Sequence, residues 1–135
     1  MKKNTKIGLV GGAGPMAGAL LFSKIIQNYQ SKKNAWQDED FPEIILLSYP
    51  FSQMLSGAES AGNASRLQTE LRICLAQLRD WGCDRIVIAC NTLHAFAPSD
   101  GFINMPAAIM NEADRRSLHP SAGAVHANHA RMAAI

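Results

Sequence analysis

Lys6-Ile7-Gly8-Leu9-Val10-Gly11-Gly12-Ala13-Gly14-Pro15-Met16-Ala17 decides the fold class. A short apolar run stops at glycines, and a proline then opens an apolar stretch. That is the order strand, tight loop, helix. Pro15 suits the first turn of a helix, because its missing N–H has no intrahelical partner there. The helix should run from Met16 to about Gln30, with Leu20, Leu21, Ile25 and Ile26 as its apolar face.

The same beat repeats downstream. After a polar connection from Ser31 to Asp40, Glu43 to Tyr49 reads as a second strand, opened by Phe41-Pro42 and closed by Pro50. Phe51 to Asn63 reads as a long loop. Leu67, Leu71, Leu75 and Leu78 form one stripe on a helix from about Ala64 to Trp81, and Gly82 stands where a helix C-cap glycine belongs. Arg85 to Ala89 is a third apolar strand. Strands alternating with helices imply an α/β fold, an open parallel sheet with right-handed crossovers and flanking helices. After His94 the pattern fades into a loop from Ala95 to Pro106, a short helix from Ala107 to Arg116, and an alanine-rich end without a strand. The division is an α/β lobe over 1–100 and an atypical tail over 101–135.

The chain of 135 residues suits a single core, and 47% apolar against 18% charged residues marks a globular protein. A formal charge of +2 and the lack of a basic stripe argue against nucleic acid. No run approaches a membrane span, and Ile7 to Val10 is too short for a signal segment, so a cytoplasmic location without membrane contact is expected. Cys74, Cys83 and Cys90 lack zinc-knuckle spacing, and an odd count argues against a disulfide framework. His119, His126 and His129 lack regular ligand spacing and read as solvated surface; no metal is expected.

Two motifs carry chemistry. Gly12-Ala13-Gly14-Pro15-Met16-Ala17 has the form of a dinucleotide fingerprint, but Pro15 removes a donor and the second strand ends in Ser48-Tyr49-Pro50, with no acid for a ribose. Glycine-rich backbone at a helix start suits any anion, a carboxylate as well as a phosphate; a tight turn without a ligand is the plain alternative. The second motif is Cys90-Asn91-Thr92-Leu93-His94. Buried cysteines are commonly core residues, and Cys74 and Cys83 read that way. Cys90 ends a strand and is followed by an amide and a hydroxyl, so it is a candidate acid/base thiol. His94 either tunes that thiol or caps the turn.

Lys6 to Ala17 together with Ala89-Cys90-Asn91-Thr92-Leu93-His94, and Asp38-Glu39-Asp40-Phe41-Pro42 before the second strand, resemble the aspartate/glutamate racemase family, closest to its aspartate racemase branch, over about residues 5 to 98. The resemblance implies one lobe of a two-lobe, cofactor-independent fold in which each lobe supplies one catalytic cysteine and an amino acid binds between them. Cys90 would then be the catalytic thiol of this lobe. Substrate contacts would come from Gly12, Gly14, Pro15, Met16, Ser48, Asn91, Thr92 and His94, with Asn91 and Thr92 on the α-substituents.

This sequence departs from the family in two places. No cysteine follows Cys90, and residues from about Gly101 onward do not resemble the family's continuation, which would bring another apolar strand; they read as a truncated or frame-shifted end. Ser48 to Ser56 holds no arginine for an acidic side chain. A lone lobe would expose its ligand face and be unstable, self-associating or inactive, and a homodimer could pair two Cys90 thiols. The alternatives are a non-catalytic amino-acid- or anion-binding lobe and a small dinucleotide-binding module.

Overall fold

The computed structural model describes residues 5–52 and 60–118. Strands β1 (Lys6–Gly11), β2 (Glu43–Ser48) and β3 (Arg85–Ile88) form a parallel sheet in the order β2-β1-β3. Helix α1 (Pro15–Lys33) joins β1 to β2, and α2 (Ser60–Asp80) precedes β3. The register sets Gly11 beside Ser48 and Val10 beside Ile88. This is the α/β architecture that the sequence pattern implies.

The helices take opposite faces of the sheet. Leu67, Leu71, Leu75 and Leu78 of α2 are all fully buried and form one cluster with Val10, Ile86 and Ile88. Burying each leucine contributes about 1.5–3 kcal/mol, so this stripe anchors the domain. The helix stops in a Schellman turn: Gly82, at φ 81°, donates to the Arg79 carbonyl, and Cys83 N–H donates to that of Leu78. On the other face α1 lies over β1 and β2. Its closest approach is glycine on glycine: a Cβ on Gly18 would stand 3.3 Å from the Gly11 Cα and 3.1 Å from Leu46.

Several local expectations change. Helix α1 continues to Lys33, into the segment read as a connection, and ends on Asn34 at φ 50°, whose N–H bonds the Tyr29 carbonyl. Leu20 lies outside the packed face, at 60% exposure; the contact runs instead through Gly18, with Leu21, Ile25 and Ile26 half-buried. The expected loop after His94 contains structure. Ile103 pairs in parallel with Val87, and its N–H donates to the Ile86 carbonyl at 2.7 Å. One rung of a fourth strand therefore stands where no further strand was expected.

The chain divides into two units after Asn104. The second contains helix α3 (Met105–Leu118), longer at both ends than its sequence suggested, with Glu112 bridging Arg115 and Arg116 at 2.7 and 2.8 Å. These two guanidinium partners hold the Glu112 carboxyl down at about 2. The histidines at 119, 126 and 129 lie outside the described residues. Among the described residues no helix is long and apolar enough to cross a membrane.

Candidate functional site

The connection through α1 leaves β1 toward β2, and the next one returns past β1 to β3. The order reverses between β1 and β3. In open α/β sheets, the crevice outside the carboxyl ends at such a reversal is where ligands bind. The glycine loop leaves β1 at this point, and Cys90 follows β3 at the same point. The ladder continues toward the thiol, with Ala89 N–H donating to the Val10 carbonyl at 2.8 Å.

The glycine loop is shaped by backbone contact. Gly12 has φ 102°, and a Cβ there would collide with the Tyr49 main chain. Tyr49 N–H in turn donates to the Gly11 carbonyl at 3.0 Å. Gly14, at φ 73°, is the N-cap residue of α1, and Pro15 occupies its first turn. Gly14, Pro15 and Met16 are exposed, Met16 at 78%.

Cys90 is half-buried and packs against the α2-side core. The chain turns immediately after it into a short 3-10 helix, Thr92–Phe96, with Leu93 buried beneath. Asn91 and Thr92 are exposed, and Asn91 makes no side-chain cap bond, so both can meet a ligand. His94 Nδ1 lies 2.8 Å from the Cys90 carbonyl oxygen, a contact that caps the turn. The ring also packs on Phe102, centroids 5.6 Å apart.

Ser48 reaches the same end of the sheet on the other face. Side chains alternate along β2, and Leu46 lies against α1, so Ser48 shares that face, whereas Tyr49 and Phe51 join Cys90 on the α2 side. The sequence reading missed what holds this wall. Glu70 of α2 accepts from Ser52 twice, from N–H at 3.0 Å and from the hydroxyl at 2.6 Å. The only hint in sequence is an acid directly beside Leu71 of the buried stripe. Residues 53–56, the rest of the stretch without an arginine, lie outside the described residues.

The other thiols are packing groups. Cys74 is fully buried, and burial, with Glu70 nearby, pushes it up to about 11. Cys83 lies beneath β1, 3.0 Å from where a Gly8 Cβ would be, and burial raises its pKa as well. All three cysteines are free. Among the described residues no three His, Cys, Asp or Glu side chains group as a metal site requires.

One half-buried thiol thus stands beside an exposed amide and hydroxyl, across the switch point from a glycine-rich backbone loop. Such a set can hold a small polar molecule and exchange a proton with it. No family model matches this chain.

Proposed function

We propose that this chain is one lobe of a cofactor-independent, cytoplasmic amino-acid racemase-type protein acting on an aspartate- or glutamate-like substrate. The observation that carries the reading is the placement of Cys90 and the glycine loop just past the carboxyl ends of the two strands that flank the switch point. The motif resemblance gives that placement its chemistry. The Cys90 thiolate takes the Cα proton, and the electron pair moves into the α-carboxylate. Donors from the glycine loop, Asn91 and Thr92 stabilise the charge that develops. Gly12, Gly14, Pro15 and Met16 floor the pocket, and His94 acts through the Cys90 carbonyl. A second lobe or a second copy supplies the opposing thiol, since Cys74 is fully buried in the core and Cys83 lies beneath β1 at Gly8.

The test is proton–deuterium exchange at Cα in D2O, with the two enantiomers of aspartate, of glutamate and of small neutral amino acids, followed by proton NMR. One thiol per copy predicts exchange that outruns inversion and is abolished by Cys90→Ser. Inversion that rises with protein concentration would show two copies meeting. Absence of exchange, or exchange indifferent to Cys90→Ser, would remove Cys90 from the mechanism; amino-acid binding without exchange would favour a purely binding lobe.

A further inference from the structure

A groove of about 460 Å³ opens on the α1 face of the sheet, with Lys24 and Ile25 of α1 on one side and Arg85 and Val87 of β3 on the other. It lies at the amino end of the strands, away from Cys90: Ile7 and Arg85, which are register partners, both line it. Its apolar wall is Ile7, Ile25, Val87 and Ile103. Lys24 and Arg85 stand beside that wall, and no acidic residue lines it. Neither cation has an ion-pair partner among the described residues; Lys24 has only a long contact to Gln27, at 3.4 Å. The volume falls within the range of small-molecule sites, which are mostly apolar with a few charged groups that fix orientation.

We infer that this groove binds a small amphipathic carboxylate, its apolar body on Val87 and Ile25 and its carboxylate between Lys24 and Arg85. A bare phosphate would leave the aliphatic wall wet, and an apolar amine would meet two like charges. A ligand seated there bridges α1, β3 and the Ile103 rung, so it stabilises the folded state by mass action. The inference is independent of any chemistry at Cys90.

The experiment titrates the full chain with 4-phenylbutyrate and, separately, with 4-phenylbutylamine, which keeps the ring and reverses the charge. Calorimetry and thermal melting give affinity, and amide NMR shifts give location. The expected result is saturable binding of the acid, a rise in Tm, shifts at Ile7, Ile25 and Val87, and no comparable binding of the amine. Lys24→Gln with Arg85→Gln, both exposed and away from the core, should weaken the acid about fivefold to tenfold through the lost charge-assisted bonds while leaving the circular dichroism spectrum unchanged. Cys90→Ser should leave the affinity unaltered. Equal binding of the amine, shifts confined to the Cys90 end, or no saturation at millimolar acid would overturn the proposal.

Discussion

His94 Nδ1 stands 2.8 Å from the carbonyl oxygen of Cys90. A carbonyl can only accept, so Nδ1 carries the proton in this contact. The imidazole thereby closes the turn that presents the thiol.

His94→Ala should lower stability by about 0.5–1.5 kcal/mol, the usual net value of one hydrogen bond, read from urea denaturation. In the Cα exchange assay it should also slow exchange. His94→Asn offers an amide N–H near the same point and should restore most of both quantities. A His94→Ala variant with unchanged stability and exchange would show that the contact does not hold the turn.

Two glycines in one loop should respond differently to the same substitution. Gly14 has positive φ, but nothing stands within 4 Å of a Cβ added there. Gly14→Ala should therefore cost only the left-handed strain, about 1–2 kcal/mol. Gly12 adds a collision with the Tyr49 main chain, which cannot swing aside as a side-chain tip can. Gly12→Ala should cost about 3 kcal/mol or more, and thermal melting of the two variants side by side checks the ranking.

These glycines also show where sequence is informative and where it is not. The strand–loop–helix order is local, so Pro15, the glycines and the leucine stripe announce it without tertiary information. The carboxyl end of β3 is legible for the same reason, because an apolar run turns polar at Cys90. Leu20 misleads because helical periodicity cannot tell which side of an apolar arc meets the sheet, and the Gly11–Gly18 approach settles that. Ile103 escapes because a single rung of strand has no period. The Ser52–Glu70 pair escapes because its partners are 18 residues apart, and no local pattern links a loop to a later helix.

That pair carries its own prediction. Hydrogen bonds to a charged acceptor contribute about 1.5–3 kcal/mol, and both bonds here are partly buried. Glu70→Ala removes the acceptor for both, whereas Ser52→Ala keeps the N–H bond. Glu70→Ala should thus be the more destabilising. A double-mutant cycle should give a coupling of about 0.5–3 kcal/mol; additive effects would deny the clamp.

Thiol labelling should separate the cysteines by exposure. Cys74 is fully buried and its thiol is held up at about 11, so it should resist iodoacetamide at neutral pH. Cys90 is half-buried at the open end of the sheet and should label in the native protein. Mass spectrometry of peptides from native and unfolded protein reads both, and native labelling of Cys74 ahead of Cys90 would contradict the packing.

The raised Cys74 pKa also sets an alkaline limit on stability. Burial is the larger cause and the Glu70 carboxylate the next; both disfavour the thiolate in the folded chain. The unfolded chain gives up this proton near the ordinary value of 9.0, the folded chain only near 11. Between those values the folded state binds more protons, so the pH derivative of unfolding free energy is negative. The contribution is whole below about pH 9 and is lost as pH rises through the window toward about 11. Cys74→Ala lowers stability at every pH by leaving a small cavity, but it removes this proton. Other groups titrate in the same range, so the informative quantity is the difference between the two slopes. Tm of the parent should fall more steeply than Tm of Cys74→Ala across that window, and the two curves should run parallel below it.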